Sequence, residues 1–463
     1  MDKGQNIRYT ATTDACKLCT PLGASLCFKG LENCISLLHG SQGCSTYIRR
    51  YLISHFREPV DIASSNFSED TAIFGGGANL KKALDNIRRQ YRPGIIGIAS
   101  TCLSETIGDD VPMFIREYRE AYRGEVLPRI IHVSTPSYNG THADGFHRAV
   151  RATVADFTGL PGCGCADLSH KRVQGLVNIF PGMVSPADLR YLKEILASFA
   201  LRCIMLPDYS ETLDGGLWDG FKTVQEGGVG LDSLEAMGDA EATIEFGRVL
   251  AFDETGGQIL ERERGIRLHS IGLPIGVMET DRFFSALEDI SVIETPAAFK
   301  KERERLIDSY VDGHKYVTGI RAVVYGEEDL VVGIVSFLRE IGIVPVLCGS
   351  GGQSRRLKEA ITSIAGDGDI KGIKVLEGAD FTEIEKEAEA MSPDIVIGNS
   401  KGYGMARRMN IPLVRAGFPI HDRLGGSRVL HLGYRGAQQL FDTIVNSLLE
   451  KKQEESETGY SYM

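Results

Sequence analysis

Short runs of β-branched and aliphatic residues recur along the chain. Each closes in a turn rich in Gly, Ser, Thr or Pro and is followed by a stretch with helical spacing. The first third carries GIIGIAST (94–101) and RIIHVST (129–135), and the middle carries LVNIFPG (176–182), RCIMLPD (202–208) and IRLHSIGLP (266–274). The last third carries IRAVVYG (320–326), VPVLCGSGG (344–352), IKVLEG (373–378), DIVIGNS (394–400) and IPLVRAGFP (411–419). Apolar strands that alternate with helices predict parallel sheets covered on both faces. The expected fold class is α/β with doubly wound parallel sheets, in which functional loops gather at the carboxyl ends of the strands.

At 463 residues the chain exceeds what one hydrophobic core usually organises, so two or three domains are expected. The small-residue stretch GLPGCGCADLSHK (159–171) marks a boundary near 170. The charged pattern FKKERERLIDSYVDGHKY predicts a long connector helix over 297–317 that leads into the last unit. The expected units are 1–170, 171–295 and 296–450, followed by a loose polar tail at 451–463.

Composition is that of an ordinary globular protein, with 43% apolar and 24% charged residues. An excess of 62 acidic over 51 basic side chains opposes contact with phosphate backbones and anionic membranes, so nucleic acid and membrane are not expected partners. No run of about 18 apolar residues occurs. The start MDKGQNIRYTATTDA lacks the basic-then-apolar pattern of a signal peptide, and a cytoplasmic location is expected. In that reducing compartment ten cysteines do not form a disulfide framework. Five of the ten, Cys16, Cys19, Cys27, Cys34 and Cys44, fall within the first 44 residues, which points to a soft-metal site.

Cys19 stands in CTPLGAS, Cys44 in HGSQGC, Cys102 at the end of GIIGIASTC and Ser137 in STPSYNG, all turn positions with small neighbours. Thiolates bind iron well, small residues beside them leave room for cluster sulfides, and a serine oxygen can join them once the metal removes its proton. Free cysteine is also among the most buried residue types, and Cys27, Cys34, Cys203 and Cys348 sit among apolar neighbours as core fillers. The Cys16–Cys19 pair has CxxC spacing, but no second CxxC accompanies it, which argues against a zinc ribbon. Cys163 and Cys165 are too close together for the usual clamp. There is no GxxxxGK[ST] phosphate loop, and GGGAN (75–79) and GSGGQ (349–353) are expected as turn and helix-start punctuation.

The segment CTPLGAS…LLHGSQGCSTYIRRYLISHFREPVDIASSNFSEDTAIFGG…IGIASTCLSETIGDD, with LPDYSETLDG (206–215), IGNSKG (397–402), IPLVRAGFPIHDRLGG (411–426) and LGYRGAQQL (432–440), resembles the β-type subunits of the nitrogenase component 1 family. That family includes nitrogenase molybdenum–iron protein β chains, methylthio-alkane reductase β-type subunits and the cofactor-assembly scaffold NifN. The resemblance implies three Rossmann-like domains of the nitrogenase component 1 type. Its cluster ligands fall on Cys19, Cys44, Cys102 and Ser137, and the separations (44−19 = 25, 102−44 = 58, 137−102 = 35) agree with the family without a gap. It further implies a P-cluster of the [8Fe-7S] type, or alternatively [4Fe-4S], buried where this chain meets a homologous α-type subunit in an α2β2 assembly. Electrons would come from an ATP-hydrolysing iron protein, and the catalytic cofactor would sit in the partner, leaving no catalytic residue here. His39, His55 and His314 lie in family segments that serve packing or cluster shielding.

Glu58, Asp308 and Asp312 resemble the family's carboxylates that hold an iron or calcium cation between two β-type subunits. Asp308 and Asp312, four apart, share one face of the connector helix, and their neighbouring Lys and Arg would equally make it a solvated face. Two functions fit: an electron-relaying subunit of a nitrogenase or methylthio-alkane reductase, or a NifN-type scaffold for iron–molybdenum cofactor assembly. Retention of both Cys19 and Cys102 favours the first, whereas the wording CKLCTPLGA, where catalytic β chains have CQPLGA, favours the second.

Overall fold

The computed structural model describes residues 14–158, 172–218, 220, 222–250, 254–365 and 372–458. The boundary near 170, Cys163 and Cys165, and the last residues of the tail lie outside the described residues. Within them the strands form three sheets, and every pairing is parallel.

The first sheet is built from β1 (Cys34–His39), β2 (Ile62–Ser64), β3 (Ile95–Ser100) and β4 (Arg129–Val133), in the order β2-β1-β3-β4. Every residue of β1 and β3 is buried, as expected of parallel strands covered on both sides. The helices that matter to the site are α1 (Thr20–Lys29), α2 (Gln42–Phe56), α3 (Cys102–Thr106) and α4 (His142–Thr158). All ten residues of α1 are buried, which is why TPLGASLCFK shows no polar face.

The second sheet, in the order β6-β5-β7-β8, uses β5 (Val173–Phe180), β6 (Arg202–Met205), β7 (Ala240–Phe246) and β8 (Arg267–Ile271), with α5 (Gly256–Arg264) after β7. The connector helix α6 spans Ala297–Val317, the range its charge and apolar spacing predict. The third sheet, β11-β10-β9-β12-β13, comprises β9 (Arg321–Tyr325), β10 (Val344–Ser350), β11 (Lys374–Glu377), β12 (Ile395–Gly398) and β13 (Leu413–Arg415). Helix α7 (Glu328–Glu340) follows β9, and α8 (Gly433–Glu454) closes the described chain. Residues 451–454, expected as loose tail, are thus helical. Lys451 pairs with Glu455 at 2.9 Å and places a cation at the negative end of α8.

Two contacts fix the start of the chain. Helices α1 and α4 touch backbone to backbone: a Cβ on Gly23 would lie 1.7 Å from the His142 carbonyl oxygen, and one on Gly145 would lie 1.8 Å from that of Thr20. Upstream, Ala15 bridges Asp380, Phe381 N donates to the Asp14 carbonyl at 2.9 Å, and Lys401 Nζ donates to the Ala15 carbonyl at 2.7 Å. The segment that leads into α1 is therefore strapped to Asp380, Phe381 and Lys401, beside the third sheet, at one end and to α4 at the other.

No helix among the described residues is long and apolar enough to cross a membrane. Because the Gly145 approach leaves no room for a methyl, Gly145→Ala is expected to cost about 3 kcal/mol or more. Gly216→Ala, whose Cβ meets nothing within 4 Å, is expected to leave stability near the parent value. Denaturant midpoints of the two variants check this.

Candidate metal-cluster site

In a doubly wound sheet the ligand crevice opens where strand order reverses, outside the carboxyl ends. In the first sheet that point lies between β1 and β3. The residues just past those strands include Ser41-Gln-Gly-Cys44 and Thr101-Cys102, and those past β4 lead to Ser137. Cys44 occupies the first turn of α2, Cys102 is the first residue of α3, and Cys19 is the N-cap of α1. The amino ends of α1 and α2 thus carry sulfur, and the partial positive charge there suits an anionic group.

The structure brings the four expected ligands together. Thr20 N donates to Ser137 Oγ at 3.2 Å, and Ser137 N donates to Cys102 Sγ at 3.2 Å. Burial pushes the Cys19 thiol up, the Ser137 hydroxyl opposes this with a hydrogen bond, and the nearby sulfurs of Cys102 and Cys44 raise it further. Ser41 Oγ donates to Cys44 Sγ at 3.6 Å. Cys19 is exposed, while Cys44 and Cys102 are half-buried, so the thiols line an open face. Among the described residues, no three His, Cys, Asp or Glu side chains come close enough to hold a single metal ion.

Behind the thiols lies a fixed polar layer. His39 at the end of β1 is fully buried between Ser65 Oγ at 3.0 Å and Asp109 Oδ2 at 3.0 Å, and burial lowers its proton affinity. Asp109 also accepts from Gly76 N at 3.0 Å, which occupies the GGGAN turn internally. On α3, Glu105 Oε1 accepts from Ser134 Oγ at 2.7 Å and from Ser100 Oγ. Nothing in CLSET marks this glutamate in the sequence. His55 Nδ1 accepts from Ile420 N at 2.8 Å, and burial pushes that ring down to about 3.

The other cysteines divide as follows. Cys16 is buried beside Tyr325 and Phe381 against the third sheet, with its thiol pushed up by burial to about 12, so Cys16 and Cys19 face different surroundings despite the CxxC spacing. Cys27, Cys34 and Cys348 are buried, and Cys203 packs half-buried against the core. Glu58 is half-buried next to Gly215 and Asp214, with its carboxyl raised by burial. Asp308 and Asp312 are exposed on α6. These three carboxylates form no metal-holding group within one chain.

The equivalent crevices of the other sheets are filled from within. At the end of β7, the buried Glu245 accepts from Thr255 Oγ1 at 2.5 Å and Gly257 N at 3.4 Å, covering the amino end of α5. Past β9, Glu327 accepts from Asp329 N and Leu330 N, both at 3.0 Å, covering the amino end of α7. Gly352 N, in GSGGQ, donates to Ser350 Oγ at 3.0 Å.

Next to Glu327, the Glu328 carboxyl accepts from Ser354 Oγ at 3.0 Å, and burial pushes it up from 4.5 to about 7. The folded chain therefore holds this proton where the unfolded chain has lost it. The associated stability is complete below about pH 4.5 and is lost as pH rises through about 7. Glu328→Gln keeps an acceptor for Ser354 without the charge. Its thermal midpoint is expected to climb relative to the parent as pH rises across that window, and a gap that does not change with pH contradicts the assignment.

The model of nitrogenase component 1 type oxidoreductases matches residues 19–449. The chain is 35% identical to the nitrogenase molybdenum-iron protein beta chain of Clostridium pasteurianum, over 95% of this chain and 93% of the relative. It is 31% identical to the nitrogenase iron-molybdenum cofactor biosynthesis protein NifN of Bradyrhizobium diazoefficiens, over 96% and 92%. The solved structure "Nitrogenase Cp1 at pH 6.5" superposes with a TM-score of 0.92 at 33% identity, covering 100% of this chain and 99% of that one. With nearly its whole length matched in this way, the chain belongs to the nitrogenase component 1 type oxidoreductase family.

Proposed function

We propose that this chain is the β-type subunit of a nitrogenase-like reductase, of nitrogenase or methylthio-alkane reductase type. In this reading Cys19, Cys44, Cys102 and Ser137 hold a P-cluster-like iron–sulfur cluster at the seam with an α-type partner in an α2β2 assembly. Electrons arrive from an ATP-dependent iron protein and pass to the cofactor in that partner. The observation that carries the reading is the gathering of three thiols and Ser137 at the one strand-end crevice not filled by the chain's own carboxylates.

The residues present suit such a group. Thiolates are soft ligands for iron, and the open face leaves room for ligands from a second subunit. When bound, the cluster supplies one-electron storage and release. The chain's part is to bind it through sulfur, give it backbone and hydroxyl hydrogen bonds, and keep the inner side dry with the His39–Asp109 layer. Since burial raises the Cys19 thiol, loading the site releases a proton from it. The free thiols fit a reducing cytoplasm.

Cys44→Ala and Cys102→Ala are each expected to lower iron content and turnover together, by roughly 10-fold or more. Iron analysis and assays with the iron protein, ATP and either dinitrogen or a thioether check this, and unchanged iron in both variants contradicts the ligand assignment. EPR through a redox titration separates the two functions. A cluster that loses two electrons in sequence supports the relay. A single [4Fe-4S] signal without turnover supports the NifN-type scaffold.

The reading extends to a hard cation, iron or calcium, shared between two copies of the chain by Glu58, Asp308 and Asp312. The exposure of both aspartates on α6 supports an intermolecular site. Replacing both with Asn is expected to remove that cation and weaken the contact between the copies. Metal analysis and sedimentation check it, and an unchanged metal content argues for a merely solvated helix face.

A further inference from the structure

The pairing of β3 with β4 ends at Ala99 and Val133, before either ligand-bearing turn begins. What holds those turns together beyond the ladder is a side-chain clamp. Ser100 Oγ accepts from Thr135 N at 2.9 Å, and Thr135 Oγ1 donates to the Ser100 carbonyl at 2.6 Å. A single oxygen of Glu105 then receives both Ser100 Oγ and Ser134 Oγ, the second at 2.7 Å. Glu105 sits on α3 three residues after Cys102, and Ser134 precedes Ser137 by three residues. The carboxylate therefore spans from the helix that begins with Cys102 to the turn that presents Ser137, whose N–H reaches Cys102 Sγ at 3.2 Å.

We propose that Glu105 is a positioning residue that sets the separation of Cys102 from Ser137, and with it the geometry of whatever the two hold. The inference rests on the cluster-binding reading above. A carboxylate oxygen can take two hydroxyl donors at once, and the short α3 helix carries that constraint directly to the Cys102 backbone. Partners of this kind, one step behind the ligands, typically change metal affinity by 10- to 100-fold when removed.

The test uses the chain purified with its partner. Glu105→Ala is expected to lower retained iron roughly 10-fold and to change the shape of the cluster's EPR signal. Glu105→Gln keeps the acceptor oxygen, so it is expected to restore both. Because it removes a negative charge beside an oxidisable group, its midpoint potential should shift to more positive values. Ser134 is exposed, so Ser134→Ala leaves folding intact and is expected to shift the EPR signal in the direction of Glu105→Ala, by less.

An unchanged signal and iron content in both Glu105→Ala and Ser134→Ala, with Cys102→Ala losing iron, overturns the positioning role alone. Failure of Glu105→Gln to restore the signal also overturns it, since charge rather than hydrogen-bond acceptance would then matter. Full iron and an unaltered signal in Cys102→Ala overturns the cluster reading itself.

Discussion

The site depends on a place where two helices touch without side chains between them. Gly23 and Gly145 let α1 and α4 approach so closely that a Cβ at either position would overlap the other helix's carbonyl, so no other residue type fits there. That contact carries the amino end of α1, and with it Cys19, to the mouth formed by the loops after β3 and β4. His142 completes the lock, since its N–H donates to the Leu18 carbonyl at 3.0 Å and its Nδ1 accepts from Leu18 N at 3.3 Å. Without this approach Cys19 would be a free turn residue rather than the third sulfur at the crevice.

Three parallel sheets offer three strand-end crevices, and the chemistry at each is different. In the second and third, Glu245 and Glu327 lie where a nucleotide phosphate would sit in a dinucleotide-binding fold, and they cover the backbone donors themselves. In the first, the equivalent positions carry sulfur at helix amino ends and remain open at Cys19. The same fold therefore closes two crevices by supplying its own anion and leaves thiols at the third. In the proposed reading this contrast is what lets a chain without a phosphate loop bear a cofactor.

Much of this was legible in the sequence, for physical reasons that also explain the gaps. Most strands were visible because parallel core strands are short, β-branched and bounded by turns. Helix α6 ran where its charged and apolar spacing placed it. Three strands were not visible, among them β2, which is only the three residues IAS long. β1 reads CISLLH with one β-branched residue, and β7 reads AEATIEF with glutamates inside the run, one of them the buried Glu245.

The cysteines and Ser137 were legible as turn residues, and their spacing carried the family resemblance. Their convergence came from contacts across more than a hundred residues, such as Thr20 with Ser137, which spacing alone does not encode. Glu105 left no trace because its partners, Ser100 and Ser134, are ordinary serines 5 and 29 positions away. The CxxC spacing carried no information about Cys16, whose thiol the strap to Asp380 and Lys401 draws against the third sheet.

In the proposed reading Cys19, Cys44 and Cys102 meet around iron at an open face beside the first sheet. Anomalous diffraction at the iron edge, from crystals of the chain assembled with its α-type partner, is expected to show a strong multi-iron peak in contact with all three sulfurs and adjacent to Ser137 Oγ. Iron density absent from that crevice, or centred elsewhere on the chain, would contradict it.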